Sequence, residues 1–309
     1  MVLSKKSIKR SISIEIARPE AAARDFIRKK LLWDQREQIL RRILRNKRLV
    51  TGSFVVLVFI FIALFAPFLA PQDPNFIDMS IRLKPPSPEH IFGTDTLGRD
   101  VFARVVYGAR VSLTVGLGVG LFSGIIGLVI GLYASYNHFL DQVFMRICDG
   151  LKAIPGILLS IMIMAVLGAD IKNVIISLVI VRIPNVSRVA RSVALSVREQ
   201  TYIDVMRSLG ASPSRILWGH IAPNILSPVL VQMTFAFVSA IPAEAALSFL
   251  GAGVPLSQPS WGSILSEGRQ VIYSAWWLIA YPGIFTAVSV LGLNLVGEGL
   301  RDFLDPKTE

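Results

Sequence analysis

Arg198-Glu-Gln-Thr-Tyr-Ile-Asp-Val-Met-Arg-Ser-Leu-Gly-Ala-Ser-Pro-Ser-Arg-Ile-Leu-Trp-Gly-His-Ile-Ala-Pro-Asn224 is a polar island between long apolar runs. Its spacing predicts a helix, a glycine turn and a second helix. Ile203, Met206 and Leu209 recur at helical intervals and give the first piece one apolar stripe. Gly210 ends it, because glycine enters the left-handed region without a Cβ clash. Ser212 and Pro213 restart the helix: the hydroxyl caps free N–H groups, and proline suits the first helical position. Ile216, Leu217 and Ile221 make the second stripe, which Pro223 is expected to close. Such a unit suits a DNA-binding helix-turn-helix, a docking element shown to a cytoplasmic partner, or an amphipathic loop lying on a membrane. The flanking sequence favours the membrane settings.

Upstream, Phe54-Val-Val-Leu-Val-Phe-Ile-Phe-Ile-Ala-Leu-Phe65 carries no charge. With 53% hydrophobic residues and a mean hydropathy of +0.58, such runs define an integral membrane protein. Six spans are expected, at about 49–69, 112–133, 142–167, from 174 onward, 225–247 and 280–296. The net charge of +11 is uneven, since 15 of the 32 Lys and Arg fall in residues 1–48. The positive-inside rule accounts for that bias better than nucleic acid does. It puts the N-terminus in the cytoplasm, the loop with Arg198, Arg207 and Arg215 on the same side, and, after six spans, the C-terminus there too. The expected fold is therefore all-α, with six transmembrane helices and both termini cytoplasmic. Residues 1–48 form a basic cytoplasmic tail. Residues 49–309 form the transmembrane domain, with an outer loop at 70–100 and the cytoplasmic loop at 198–224.

Local detail refines this plan. Ile27, Leu31, Leu32, Ile39, Leu40, Ile43 and Leu44 hint at amphipathic helix along the membrane surface. The long charged start and the distant first apolar run argue against a cleavable signal peptide. Gly93 and Gly98 read as turns and Asp100 as a helix N-cap. Gly116, Gly120, Gly124, Gly127 and Gly131 predict close helix packing. Tyr136–Asp141 reads as a short turn. Arg146 and Asp149 share a helix face and are expected to pair, and Pro155-Gly156 is expected to kink the third span. Pro184 is read as an interruption of the fourth span. Charges inside spans are candidate pathway or gate residues, which singles out Asp149 and Glu244, with pairing inside the bundle as the rival role. Trp261, Tyr273, Trp276 and Trp277 are assigned to an outer segment at headgroup depth. Cys148 reads as a small buried hydrophobe.

Five strings carry a family resemblance. Asp204-Val-Met, Gly210 and His220-Ile-Ala-Pro223 keep the spacing of the cytoplasmic "EAA" loop of permease subunits of binding-protein-dependent ABC importers, with Asp in place of the leading Glu. His90-Ile-Phe-Gly-Thr-Asp-Thr-Leu-Gly-Arg-Asp100, continuing to Leu113, resembles the C-type permease of dipeptide and oligopeptide importers. So do Glu244-Ala-Ala-Leu-Ser-Phe-Leu-Gly251, Pro259-Ser-Trp-Gly262 and Gly297-Glu-Gly-Leu-Arg-Asp302. The resemblance covers about residues 50–306. It implies the type I ABC importer permease fold in a cell inner membrane. It also implies a second homologous permease, separate ATPase subunits that bind the ATP, and an extracytoplasmic binding protein. It makes residues 198–224 the ATPase-coupling loop, with Tyr202, Ile203, Asp204, Met206, Arg207, Gly210, Ala211, Arg215, Ile216 and Pro223 as its functional positions. Dipeptides or oligopeptides are the implied cargo; nickel or another small solute is the nearest alternative.

The chain itself has no phosphate loop of the Gly-x-x-x-x-Gly-Lys-Ser/Thr type. It has no metal-ligand spacing and no nucleophile–base pair, so neither a catalytic residue nor a cofactor is expected. A self-contained channel or secondary transporter is a second reading, resting on Asp149 and Glu244. A membrane scaffold or sensor using the basic tail is a third.

Overall fold

The computed structural model describes residues 33, 37, 41–255 and 257–304. Most of the basic tail, including Ile27, Leu31, Leu32, Ile39 and Leu40, lies outside the described residues, as does Pro306. The described residues form helices joined by short loops, with one isolated bridge between Thr94 and Asp100.

The first crossing is α1 (Lys47–Leu64), capped by the Asn46 side chain, which accepts from Leu49 N at 3.1 Å; a short α2 (Ala66–Leu69) follows. The outer loop then leads to α3 (Val101–Tyr136), whose N-cap is Asp100, accepting from Ala103 N at 2.7 Å. Gly93 and Gly98 both take positive φ, as turns require. At 36 residues α3 is about 54 Å long, so the expected second span covers only its C-terminal part.

Among the described residues five helices are long and apolar enough to cross a membrane, and a bent pair makes a sixth crossing if counted as one. That pair replaces the expected third span. α4 (His138–Ala153) and α5 (Gly156–Leu167) meet at 95°, far beyond a kink. Pro155 cannot supply the N–H that would continue α4. The expected turn at 136–141 shrinks to Asn137, whose side chain caps α4 through Phe139 N and Leu140 N.

Two expected breaks are absent. α6 runs unbroken over Ile171–Arg198 with Pro184 buried inside it. After α7 (Thr201–Ser208) and the glycine turn, α8 (Pro213–Ile216) passes through a π turn, Leu217–Ile221, into α9 (Ala222–Phe249). Pro223 closes nothing. Ala222 N bonds Leu217 O, five residues back, and this wider turn carries the helix up to a proline in the first turn of α9, where its missing N–H costs little. α10 (Trp261–Gln270) and α11 (Trp277–Leu304) complete the order.

The core is α3 between α6 and α9, and the small residues set its spacing. A Cβ on Gly120 would stand 2.9 Å from the Met233 carbonyl of α9, and one on Gly131 2.5 Å from the Ala190 Cβ of α6. α1 crosses α11 as closely: a Cβ on Gly52 would lie 2.7 Å from Gly292 O. Asn46 Nδ2 donates to Gly299 O, and Arg48 lies near Glu298 and Asp302, so the two ends of the described chain sit together. Arg301 and Leu304 share a pocket with Val189 and Ser227, which puts those ends on the same side as the 198–224 loop.

The aromatic run is not all at headgroup depth. Trp261 and Trp277 are buried, and their indole N–H groups donate to Val105 O and Thr94 O, each at 3.0 Å. Tyr273 and Trp276 are the exposed members.

Candidate functional site

The 198–224 loop is a hairpin of two short helices with one inward and one outward face. α7 ends as the sequence leads one to expect. Gly210 takes φ +82, its N–H donates to Arg207 O at 2.9 Å, and Ala211 N donates to Met206 O at 3.0 Å. This pair of bonds is the Schellman arrangement, which satisfies the last free carbonyls of a helix. Ser212 caps α8 through Arg215 N at 3.4 Å, with Pro213 in the first turn.

The inward face anchors the hairpin. Ile203, Ile216, Leu217 and Ile221 are buried with Leu132 of α3 and Val186 and Ala190 of α6; Met206 and Ala211 pack beside them. Ile203 and Ile216 are fully covered by the chain's own bundle. The outward face holds Tyr202, Asp204, Val205, Arg207, Leu209 and Arg215. Leu209 is 77% exposed. Asp204 and Arg207 approach to 3.3 Å, and the Arg207 guanidinium lies 6.0 Å from the Tyr136 ring centre. Asn224 links the hairpin ends, donating to Tyr202 Oη at 3.3 Å and to His220 O at 2.6 Å. Pro223 is exposed in α9.

The two intramembrane acids have different settings. Asp149 pairs with Arg188 of α6 at 2.5 Å, not with Arg146. The i,i+3 spacing placed Arg146 on the right face, but α6 brings a closer cation. Arg191 likewise holds both Asp141 oxygens, donating from Nε and Nη2. These charges line an open cavity of about 880 Å³. Glu244 is fully buried, and three serine hydroxyls donate to it: Ser248 at 2.8 Å, Ser260 at 2.9 Å and Ser112 at 3.3 Å. It ties α9 to α3 and to the start of α10.

Sequence reasoning passed over a four-charge network beneath the outer loop. Arg99 donates to Asp95 at 2.7 Å and to both Glu267 oxygens at 2.8 Å. Arg104 donates to Asp95 at 2.6 Å and to Glu267 at 2.7 and 2.9 Å. All four side chains are at most 9% exposed. Asp95, Arg99 and Arg104 all lie in the string that carries the family resemblance. Their acidic partner sits more than 160 positions away, where no local pattern points to it.

Residues 123–309 match the family described as binding-protein-dependent transport system inner membrane component. The chain belongs to that family. Residues 35–86 of this permease also match the N-terminal transmembrane domain of oligopeptide transport permease C. The permease is 43% identical to the dipeptide transport system permease protein of Alkalihalophilus pseudofirmus, over 87% of this chain and 89% of the relative. It is 39% identical to the di/tripeptide transport system permease protein of Pseudomonas aeruginosa, over 85% and 89%. Among solved structures, a chain of the MetNI methionine ABC transporter in an inward-facing conformation superposes with a TM-score of 0.54 at 21% identity, covering 65% of this permease and 96% of that chain. The likeness shows the fold. The permease is thus a multi-pass inner-membrane subunit of an ABC transporter.

Proposed function

We propose that this permease forms half of the translocation pathway of an ATP-driven importer for dipeptides or short oligopeptides. A second homologous permease supplies the other half, separate subunits hydrolyse the ATP, and an extracytoplasmic protein delivers the cargo. The names of the relatives support the peptide assignment. The observation that carries the coupling assignment is the two-faced hairpin: one side is sealed into the bundle, while the other presents Val205, Leu209, Asp204, Arg207 and Arg215 to the outside.

The geometry suits a mechanical role. α8, the π turn and α9 form 37 continuous residues, Pro213–Phe249, about 55 Å at helical rise. A push on the hairpin is delivered along this rod to Glu244 and its serines at the far end. Ile203 and Ile216 fasten the hairpin to α3 and α6, so those helices move with it. ATP-driven closure of the partner subunits would then rock the spans between outward and inward openings. The apolar contact with the ATPase falls to Leu209 and Val205, and Asp204, Arg207 and Arg215 surround it.

The test is purification of the tagged permease from its native membrane in mild detergent, followed by reconstitution. Co-purification of an ATPase and a second permease, and ATP-dependent uptake of dipeptides in the presence of the binding protein, is the expected result. Leu209→Cys should cross-link to the ATPase subunit. Transport by the permease alone without ATP would refute the reading. Uptake of nickel in place of peptides would refute the cargo.

A further inference from the structure

The sharp break between α4 and α5 leaves a space that the coupling mechanism does not use. A cavity of about 380 Å³ lies against the break, lined by Lys152, Gly156, Ser160, Arg182, Asn185 and Leu247 among others. That volume is in the range of sites for small organic molecules. Arg182 is the twelfth of the 28 residues of α6, about 17 Å from its start at helical rise. This is mid-depth for a hydrocarbon core of about 30 Å.

Every polar feature of the wall suits a negative group. Arg182 is half-buried, and among the described residues its side chain makes a single hydrogen bond, a long 3.5 Å contact to Ser239 O. Lys152 stands across from it in the last turn of α4. No acidic side chain lines the space among the described residues; the nearest intramembrane acid on α4, Asp149, is engaged by Arg188. Ser160 Oγ is buried and has no hydrogen-bond partner among the described residues. α5 begins at the same wall, and its N-cap, Pro155, offers no side-chain acceptor to the first-turn N–H groups. Such an end carries partial positive charge. Broken helices are tolerated at membrane depth where they line a cavity. A guanidinium left without a counter-ion at this depth is costly, and an anionic ligand would offset that cost.

We propose that this cavity is a carboxylate subsite, in which Lys152, Arg182, Asn185 and Ser160 receive the negatively charged end of the transported peptide partway across the membrane. The proposal rests on the peptide-importer reading and adds to it a place and a chemistry. Arg182 offers a planar pair of donors that matches a carboxylate. Lys152 supplies a second charge on the other side of the break, so the ligand spans the joint between α4 and α5.

The test uses the assembled importer in lipid nanodiscs, with Asn185→Cys introduced in a Cys148→Ala background. The thiol is titrated with methanethiosulfonate reagents bearing either a sulfonate or a trimethylammonium group, each corrected for its rate with free cysteine. A cationic cavity should favour the sulfonate reagent by about tenfold. Adding Lys152→Gln and Arg182→Gln should abolish the preference, and alanylalanine should slow labelling while its C-terminal amide does not. Equal rates for the two reagents overturn the proposal. Protection by phosphatidylglycerol in the nanodisc, but not by alanylalanine, also overturns it by assigning the cavity to a lipid phosphate. In proteoliposomes, Arg182→Gln should lower alanylalanine uptake about tenfold, and Arg182→Lys, which keeps the charge but not the paired donors, should restore only part of it. Unchanged uptake in Arg182→Gln counts against the subsite. A wild-type complex that imports no peptide refutes the function proposed above, and the labelling preference then still reports on the cavity by itself.

Discussion

Glu267→Gln is the most informative single change in the outer network. Glu267 accepts four hydrogen bonds, two from Arg99 and two from Arg104. Two guanidiniums and two carboxylates make the wild-type network neutral. The glutamine keeps the shape but leaves two buried guanidiniums facing Asp95 alone, a net charge of +1. Removing one partner from a buried charge network costs about 3–5 kcal/mol, or roughly 150-fold or more in the folding equilibrium. Adding Arg99→Met restores neutrality, because Asp95 keeps Arg104 at 2.6 Å and the N–H groups of Leu97 and Arg99. The double variant should therefore lie closer to wild type than the sum of the two single losses, with a coupling of about 1 kcal/mol or more. Thermal unfolding of the purified permease in detergent measures all four corners of the cycle. Additive losses, or a loss below about 1 kcal/mol for Glu267→Gln, would show that the four side chains do not act as one buried unit.

Gly210→Val should cost more than about 1 kcal/mol locally, because its φ of +82 penalises a Cβ even though no atom lies within 4 Å; uptake should fall while insertion is kept, and Gly210→Asn should be better tolerated in the same assay. Gly131→Leu should prevent assembly of α3 with α6, seen as loss of folded protein on size exclusion, whereas Gly150→Ala, with open space around it, should raise the melting temperature slightly. Asp149→Asn should cost no more than about 1 kcal/mol in thermal unfolding, since its pair with Arg188 is half-exposed. The Ser80 hydroxyl and N–H hold the Asp78 carboxyl below its usual range. That contribution is present above the ordinary carboxylate range and is lost as pH falls through it, from about pH 4 downward. The protection of residues 78–98 against hydrogen exchange, corrected for the intrinsic rate, should fall there, and Ser80→Ala should make that pH-dependent fall smaller.

The spans, the packing glycines and the hairpin turn were legible because each is local. An apolar run, a small-residue interval and a glycine after a helical stripe carry their meaning within a few turns. What escaped notice depends on partners remote in the chain. Asp149 chose Arg188 over the neighbour at i−3 because α6 packs beside α4. Trp261 and Trp277 found carbonyls to cap their indoles inside the protein, where composition suggested the membrane boundary. Prolines misled in both directions: Pro184 and Pro223 sit inside or at the start of helices held by packing and a π turn, while Pro155 ends one helix and lets the next leave at 95°. The carboxylate of Glu267 could be assigned to the outer network only once α10 was folded over α3.

The glycines of α3 also make its length a piece of information. Gly116, Gly120 and Gly124 meet α9, whereas Gly127 and Gly131 meet α6. The three-residue step from 124 to 127 keeps all five within about 80° of one another around the axis, so a single face meets α9 along its first half and α6 along its second. Each residue turns the helix by about 100°, so deleting or inserting one residue in that gap would rotate one set relative to the other by that amount. Each half would still read as a good membrane helix, yet only one of the two neighbours could seat. Hydropathy tolerates such a frame slip; this joint does not, and homologous chains should vary in side-chain identity here well before they vary in count.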